Sequence, residues 1–379
     1  MKGGPVRKIL VVNAGSSSVK FAVFADGTAV AAGAASEIGG AGRFTFDGKA
    51  RAMDLPDHRA AVAACLAALD GAGHGLDSFA AAAHRVVHGG VDFVASCRIT
   101  EAVIAGIEAC VPLAPLHNPA NLAAIRALAE LAPGLAQFAS FDTAFHAGQP
   151  EVAARYAVPD AVAALGIRRY GFHGISYAGL VEAVAAKGPL PRRLLALHLG
   201  NGASLCAIVD GRSVATTMGY SPLEGLTMGT RSGGIDGNAV LRMAEVYGIA
   251  EAGRILNHES GLRGLSGASD MRALAQAGTP EAQFARDHFA YWAVRHAGSM
   301  IAAMGGIDAL AFTGGIGEHD AEMRGQIMAG LAFTGLVVGD AGLDEKLHDS
   351  TSLVAAWVIP AAEEASIAAE AVRVMDKGI

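Results

Sequence analysis

The chain has 379 residues, enough for two domains of ordinary size, and carries a formal net charge of −7. Its Lys and Arg residues are dispersed, which argues against a nucleic-acid groove or an anionic-membrane patch and predicts a small-molecule partner. Hydrophobic residues make up 52% of the chain. Many of them are Ala, and no apolar run reaches the roughly 18 residues of a membrane-spanning helix.

The cysteine pattern predicts neither a disulfide framework nor a structural zinc site. There is no Cys-x-x-Cys pair among the cysteines, which are Cys65, Cys97, Cys110 and Cys206. We therefore expect a reducing environment and a cytoplasmic location.

The two halves of the chain carry the same pattern. Residues 9–24 are predicted to form a strand, a small polar turn and a second strand, followed by an Asp-Gly pair, and residues 194–209 repeat this plan. Gly15 aligns with Gly200, an offset close to half the chain. We predict two similar lobes derived from one ancestral unit, with their turns facing each other across a cleft.

Apolar periodicity between and after these hairpins predicts alternating helices and strands. Helices are predicted at residues 57–69, 118–131, 240–257 and 282–304, strands at 81–87, 138–141 and 309–312, and a loop-rich stretch at 219–238. This order predicts an α/β fold whose sheets are covered by helices.

Three Gly-rich turns carry candidate phosphate-binding groups. Asn13–Ser18 puts one amide and three hydroxyls in a tight turn, where backbone N–H groups can cradle a phosphate. His198–Ser204 is the matching turn of the second half. Thr313–Glu318 follows an apolar strand, the position where open α/β folds bind nucleotides. Each segment alone also fits an ordinary turn, but two matched turns favour a nucleotide site.

Charged residues beside these turns are candidate catalytic groups. Arg231 lies in a loop of small residues and Arg85 precedes a Gly-Gly pair, and a guanidinium matches a carboxylate or a phosphate in two-point fashion. A surface ion pair is the alternative for either arginine. Asp142 ends an apolar strand, where an aspartate is either a turn cap or a ligand of metal and substrate. His84 and His88 have the spacing of a zinc pair, but they lie in a strand without the accompanying Glu, so no zinc site is predicted.

Taken together, these segments resemble the acetate kinase family, within the superfamily of actin, hexokinase and heat-shock chaperone ATPases. The resemblance runs from Asn13 to about Ala365 in the family's order, through segments 13–20, 84–90, 115–119, 141–146, 169–174, 198–202 and 228–233. It implies a two-lobed actin-like ATPase fold with duplicated ribonuclease-H-like domains and a central cleft. The N-terminal lobe would be residues 1–145, with a C-terminal helix at 365–379 packing back on it. Residues 146–364 would form the nucleotide-binding lobe.

The resemblance also implies an activity. It is the reversible, direct in-line transfer of the ATP γ-phosphoryl group to acetate, which gives acetyl phosphate and ADP. The enzyme would be a homodimer and would require Mg²⁺, for which Mn²⁺ could substitute. A propionate kinase is the alternative within this class, because one methylene changes preference by only about 1–3 kcal/mol. A non-catalytic ATP-binding regulatory protein is the alternative outside it.

Roles for individual residues follow from the same resemblance. Arg85 and Arg231 would hold the carboxylate and neutralise the transferring group, and His173 would donate to it. Metal ligands would be Asn13, Asp142 and Glu363. The alkyl end of the acid would lie among Val87, Leu116, Phe172 and Pro222. ATP would contact Ser16, Ser18, Lys20, His198, Leu199, Gly200, Asn201, Gly202, Asp270, Met271, Arg272, Gly314, Gly315, Ile316, Gly317, Glu318 and His319.

Several positions depart from the family pattern, and one of them is Ala361, which replaces a threonine. Gly234 and Gly237 stand where an acid and a proline are usual near Arg231. His319 and Ala362 each replace an asparagine, the first in the nucleotide loop and the second beside the metal ligand Glu363.

Overall fold

The computed structural model describes residues 6–339 and 346–378. The chain divides into two compact units, one comprising Met1–Phe145 and Ala362–Ile379 and the other His146–Ala361. Residues 1–5, 340–345 and 379 of the predicted lobes lie outside the described residues.

The first unit is built on a mixed sheet with the strand order β5-β4-β3-β2-β1-β6-β8-β7. Strands β1 to β5 form successive antiparallel pairs, whereas β6 pairs parallel to both β1 and β8. The strands are β1 Lys8–Gly15, β2 Ser18–Ala25, β3 Thr28–Ser36, β4 Arg43–Phe46, β5 Lys49–Ala52, β6 Phe79–Val86, β7 Cys97–Arg98 and β8 Gln137–Phe141.

Helices of the first unit cover this sheet. They are α1 His58–Gly71, α2 Glu101–Ala109 and α3 Asn118–Leu131. Asp57 caps α1, because its carboxylate accepts a hydrogen bond from the Ala60 N–H at 2.8 Å. Buried Leu69 of α1 and Leu128 of α3 pack into one core with Phe21 and Phe44 of the sheet. This apolar contact fixes both helices against the hairpin β1–β2.

The second unit repeats the plan of the first. Its sheet has the order β11-β10-β9-β12-β13, with antiparallel β9–β10–β11 and with β12 parallel to β9 and β13. The series β3-β2-β1-β6-β8 of the first unit has the same succession of pairings. These strands are β9 Arg193–Leu199, β10 Ala203–Val209, β11 Arg212–Thr216, β12 Ala309–Thr313 and β13 Ala355–Val358.

Matching turns connect β2 to β3 in the first unit and β10 to β11 in the second. Asp26 and Gly27 have φ of 47° and 82°, and Asp210 and Gly211 have 49° and 78°. Positive φ at both central residues defines a type I′ turn, whose twist matches that of the flanking strands. The two Asp-Gly pairs therefore favour the hairpins β2–β3 and β10–β11.

Helices of the second unit surround its sheet. They are α4 Glu151–Ala154, α5 Asp160–Ala163, α6 Gly174–Lys187, α7 Gly237–Tyr247, α8 Ile249–Arg254, α9 Gly261–Ser266, α10 Met271–Ala277, α11 Pro280–Met304, α12 Gly314–His319 and α13 Ala321–Gly330. The single helix predicted at 240–257 is wrong, because Gly248, with φ 83°, separates α7 from α8, and a π-helical segment, Ile255–Glu259, follows. In the described part of the chain, no helix combines the length and hydropathy needed to cross a membrane.

The last helix, α14 Glu363–Asp376, belongs to the first unit and contacts β1, β6 and β8. It begins two residues earlier than the C-terminal helix expected from the sequence. Ile367, Ala368 and Ala371 are buried on its inner face. This packing brings Glu363, the first residue of α14, to the first unit.

Gly33 provides a test of the packing in the first sheet. A Cβ atom there would lie 2.4 Å from Phe21 Cζ and 2.6 Å from the Thr45 carbonyl oxygen. The Phe21 ring has little room to move, because its centroid lies 6.0 Å from those of Phe44 and Phe46. We expect Gly33→Ala to lower the free energy of unfolding by about 1–3 kcal/mol through overpacking, measured by denaturant titration.

A control for this change is Gly71→Ala, since a Cβ atom at the end of α1 meets nothing within 4 Å. Its unfolding midpoint should stay near that of the native protein. Equal midpoints for the Gly33 and Gly71 variants would contradict the packing argument.

Candidate active site

An arginine and an aspartate of neighbouring parallel strands form a buried ion pair in the first unit. Arg85 lies near the end of β6, and Asp142 directly follows β8. Arg85 Nη2 donates to Asp142 Oδ2 at 2.7 Å, and Arg85 Nε donates to Oδ2 at 3.0 Å and to Oδ1 at 3.2 Å. The Asp142 side chain is 2% exposed and that of Arg85 is 22% exposed. The pair therefore fixes the guanidinium while leaving part of it accessible.

Asn13 and Glu363 lie around the same arginine. Asn13 Oδ1 accepts a hydrogen bond from Arg85 Nη1 at 3.5 Å. Burial lowers the pKa of Arg85, but the charges of Asp142 and Glu363 outweigh it and raise the pKa above its ordinary value. Burial also raises the pKa of Asp142, against the opposing charge of Arg85. Arg85 is therefore a permanent cation in a partly desolvated position.

The donors in this cluster fit Mg²⁺. Asn13, Asp142 and Glu363 can each coordinate a metal through a side-chain oxygen, the ligand atom that Mg²⁺ prefers, and the ion commonly takes one or two carboxylates with waters and phosphate oxygens. Asp142 is already bonded to Arg85, but an ionised carboxylate has about four lone-pair sites. Within residues 6–339 and 346–378, no three His, Cys, Asp or Glu side chains form a cage that by itself could hold a metal.

His84 is placed as a structural residue. Its Nε2 is hydrogen-bonded to Gln137 Oε1 at 2.7 Å, and burial lowers the pKa of the imidazole to about 4. His88 Nδ1 accepts a hydrogen bond from the Gly90 N–H at 2.9 Å. These two bonds direct the His84 and His88 rings to different partners.

Two buried asparagines of α3 hold the backbone around Arg85. Asn121 Oδ1 accepts from the Val87 N–H at 3.1 Å, and Asn121 Nδ2 donates to the Ala14 carbonyl at 2.7 Å. Asn118 makes a matching pair of bonds with the backbone N–H and C=O of His88. Asn121 was not singled out from the sequence. The sequence signal that could have identified it is a polar residue on the apolar face of a helix, one turn after Asn118.

The first Gly-rich turn continues from this cluster. Lys20 is the antiparallel partner of Asn13 in the β1–β2 register, and Ser18 is the partner of Gly15. Ser16 lies in the turn itself, and both Ser16 and Lys20 are exposed. Among the predicted acid-pocket residues of this unit, Val87 is buried whereas Leu116 is 46% exposed.

In the second unit, two histidines stack on each other. The ring centroids of His173 and His198 are 4.1 Å apart, with 21° between the planes. His173 Nδ1 is hydrogen-bonded to Ser204 Oγ at 2.9 Å, and Ser204 Oγ to the Tyr177 hydroxyl at 2.5 Å. His198 Nδ1 is bonded to Ser176 Oγ at 2.8 Å. These bonds fix both rings by their Nδ1 atoms.

His173 has an unusual backbone conformation. It precedes α6 with φ 60° and ψ 19°, the left-handed region that non-glycine residues rarely adopt. Such strain persists only where the surroundings hold it, and it clusters at functional sites.

Gly202 marks the point where His173 and Arg231 converge. A Cβ atom on Gly202 would lie 3.3 Å from His173 Nε2 and 3.1 Å from Arg231 Nη2. Arg231 Nη1 donates to the Pro222 carbonyl at 2.7 Å, which holds the guanidinium in place. Two donor-bearing side chains thus face a tight turn in which the Gly200 N–H donates to the Gly202 carbonyl at 3.0 Å. This arrangement suits a group with negative charge.

A cavity of about 470 Å³ is lined by Gly200 and Asn201 of this turn. Its size is within the range of small-molecule sites. The predicted ATP-binding residues that line it are Gly200, Asn201, Asp270, Met271, Arg272, Gly315, Ile316 and His319. Ser269 and Asp320 also line it and were not predicted from the sequence. The second and third Gly-rich turns therefore share one cavity.

Other predicted ATP-binding residues of this unit are buried or hydrogen-bonded within the unit. Leu199, Gly314 and Gly317 are buried, and a Cβ atom on Gly314 would lie 2.8 Å from the Leu199 carbonyl oxygen. Glu318 Oε1 accepts a hydrogen bond from the Ala361 N–H at 2.9 Å. Phe172, a predicted acid-pocket residue, is 1% exposed.

The Arg85–Asp142 pair predicts a large loss of stability when one partner is removed. Asp142→Asn keeps the shape but leaves the buried face of Arg85 without its counter-charge. We expect the free energy of unfolding to fall by roughly 2–4 kcal/mol, less than for a fully buried pair because Arg85 is 22% exposed. Denaturant unfolding at neutral pH measures this loss.

The matched control is Glu130→Gln in the same unit. Glu130 pairs with Arg59 at 3.1 Å, and both side chains are more than half exposed. This change should move stability by less than about 0.5 kcal/mol. A similar loss for both variants would show that burial does not strengthen the Arg85–Asp142 pair.

Comparison with known proteins gives the family. The model of the Acetokinase family matches residues 8–369. The chain is 41% identical to the acetate kinase of Shouchella clausii, over 97% of this chain and 99% of that protein. It is 42% identical to the acetate kinase of Streptomyces coelicolor, over 96% of each.

Solved structures confirm the predicted fold of duplicated, ribonuclease-H-like α/β domains. Acetate kinase from Porphyromonas gingivalis superimposes with a TM-score of 0.90 at 36% identity, over 97% of this chain and 100% of that chain. A propionate kinase from Francisella tularensis gives 0.92 at 35% identity, over 96% and 98%. The resemblance predicted from the sequence is thereby confirmed, and the chain belongs to the acetokinase family of phosphotransferases.

Proposed function

We propose that this kinase is an acetate kinase, which transfers the γ-phosphoryl group of ATP reversibly to acetate and forms acetyl phosphate and ADP. The observation that carries the proposal is the convergence of His173 Nε2 and Arg231 Nη2 on Gly202, beside a cavity of nucleotide size. A simple ATP clamp has no need of these two donors. This distinguishes the proposal from a regulatory ATP-binding protein.

In the second unit, ATP binds in the cavity with its base and ribose near Asp270, Met271 and Arg272. The backbone of Asn201 and Gly202 receives its phosphates. Phosphoryl transfer spreads charge over the equatorial oxygens of the transferring group, so catalysis is mainly positioning and electrostatic stabilisation. Arg231 and His173 supply that stabilisation.

The hydrogen-bond chain behind His173 accommodates a neutral ring with its proton on Nε2. In that arrangement the Tyr177 hydroxyl donates to Ser204 Oγ, and the Ser204 hydroxyl donates to His173 Nδ1. Nε2–H then faces Gly202 as a donor. His173 can therefore stabilise negative charge without becoming an imidazolium.

In the first unit, Arg85 binds the carboxylate of the acid, and Asp142 keeps its guanidinium charged and oriented. Asn13, Asp142 and Glu363 would hold Mg²⁺, or Mn²⁺ in its place. When bound, the ion neutralises phosphate charge. Ser16, Ser18 and Lys20 add donors along the β1–β2 turn. We also propose the homodimer and the cytoplasmic location expected from the sequence.

The test is a hydroxamate assay on the purified chain. ATP and Mg²⁺ are supplied with acetate, propionate or butyrate, and hydroxylamine traps the acyl phosphate. We expect acyl hydroxamate with acetate, loss of product on chelation, and recovery on adding Mg²⁺. ADP formation without acyl hydroxamate from any acid would refute the proposal.

Propionate is the second candidate substrate, because a propionate kinase has one of the most similar folds. Val87 is buried two residues after Arg85, and one methylene in an apolar pocket is worth only about 1–3 kcal/mol. We expect kcat/KM for acetate and propionate within about 100-fold of each other. Val87→Ala should shift the ratio toward propionate and leave the KM for ATP unchanged, measured by the hydroxamate assay with each acid. An unchanged ratio would remove Val87 from the acid pocket.

The role of Arg231 gives a kinetic prediction. Arg231→Ala should lower kcat by about 10²–10³, the usual effect of removing one preorganised donor, while the thermal midpoint stays close to native. Arg242→Ala is the control, since Arg242 is 74% exposed on α7 and pairs only with Glu245 in the described contacts. Native turnover in the Arg231 variant would show that this arginine does not act on the transferring group.

A further inference from the structure

The second unit buries one arginine almost completely. Arg286, on α11, is 2% exposed. Its Nη1 donates to Asp320 Oδ2 at 3.0 Å and to the Met271 carbonyl at 3.4 Å, and its Nη2 donates to Glu322 Oε2 at 2.8 Å. A single guanidinium thus joins α10 and the start of α13 to α11.

Stability alone does not account for this arginine. Taking a guanidinium out of water carries a large desolvation penalty, and buried ion pairs are often no better than apolar side chains of similar volume. Of its two carboxylate partners, Asp320 is 14% exposed and Glu322 is 65% exposed, so only the Asp320 contact is largely removed from water. What an apolar residue cannot supply is the planar fork, which fixes its acceptors at a set separation.

Two of the three acceptor residues line the proposed nucleotide cavity. Met271 and Asp320 are both part of its wall. Met271 is flanked by Asp270 and Arg272, while Asp320 directly follows the segment that carries Gly315, Ile316 and His319. These two stretches are far apart in sequence. The Arg286 guanidinium therefore bonds directly to two separate walls of the cavity.

Asp320 also organises its own wall. Its Oδ1 accepts a hydrogen bond from the Met323 N–H at 2.9 Å and caps α13, and its N–H donates to the Ile316 carbonyl at 3.0 Å. With Oδ2 held by Arg286, the carboxylate has one orientation. A shift of Asp320 would move both the cap of α13 and the end of α12.

We propose that Arg286 is a positioning residue that sets the spacing between the Met271 and Asp320 walls, and through it the affinity and base selectivity of the nucleotide cavity. The inference rests on the proposed function, in which ATP binds in this cavity. A base is held by contact with two walls at a fixed separation. A less well fixed separation should therefore weaken the binding of ATP more than the binding of a nucleotide with a smaller base, such as CTP. Arg286 touches no substrate in this arrangement.

The experiment compares full-length Arg286→Met and Arg286→Lys with the native protein. Dissociation constants for ATP and CTP, kcat at saturating ATP, the KM for acetate and the thermal midpoint are measured for each. We expect the Kd for ATP to rise about 10–100-fold in Arg286→Met, the scale of a lost charged hydrogen bond. CTP binding should change less, so the ATP to CTP preference should fall. The other kinetic constants should stay within about threefold.

Arg286→Lys is the second variant, and it carries the test if Arg286→Met does not fold. Lysine keeps the charge but cannot reach both carboxylates and the carbonyl in one plane, so ATP binding should be intermediate. Arg254→Met is the control, because Arg254 pairs with Glu251 and Glu259 away from the cavity wall. It should bind both nucleotides as the native protein does.

The outcomes separate this inference from the proposed function. Native ATP affinity and ATP to CTP preference in both Arg286 variants would overturn the inference and leave the proposed function intact. A lower thermal midpoint with an unchanged preference would assign Arg286 a purely structural role and also overturn it. A native protein that binds no ATP would refute the proposed function and, with it, the inference.

Discussion

The arrangement of each unit depends on the parallel pairing of a hairpin strand with a strand that follows a long connection. In the first unit β1 pairs with β6 and β6 with β8, and in the second β9 pairs with β12. Parallel strands end on the same edge of a sheet, so the residues that follow them are brought together. Arg85 meets Asp142 in this way. The turn after β9 and the turn after β12 share one cavity for the same reason.

Buried guanidinium groups are the second common feature of the two units. Arg85 is held by Asp142 at 2.7 Å and Arg286 by Asp320 at 3.0 Å, with charged hydrogen bonds in each case. Such pairs add little net stability, but they allow few orientations because a planar fork must match its acceptors. Their value lies in fixed geometry. One pair orients a cation that remains partly accessible, and the other joins two walls of a cavity.

Local patterns in the sequence predicted many elements of the fold. The helix predicted at 118–131 has the bounds of α3, and both Asp-Gly turns have the backbone that their residues favour. Strand β5 was missed because it is exposed along its whole length and shows no alternation of apolar residues. The break at Gly248 was also missed, since the apolar periodicity continues across it. These elements depend on neighbours that a short window of sequence does not contain.

The sequence by itself determined the residue types of the site, the repeated hairpin and the family. In the sequence, Asn13, Arg85 and Asp142 lie in separate motifs. Nothing in those motifs shows that the Arg85 guanidinium bonds to the other two residues. Only the tertiary structure decided that Ser204 and Tyr177 orient His173, that Asn121 ties Val87 to Ala14, and that Arg286 spans the cavity wall. The physical reason is that most of these hydrogen bonds join residues tens of positions apart. Their partners are chosen by the packing of strands and helices, and local propensity does not encode that choice.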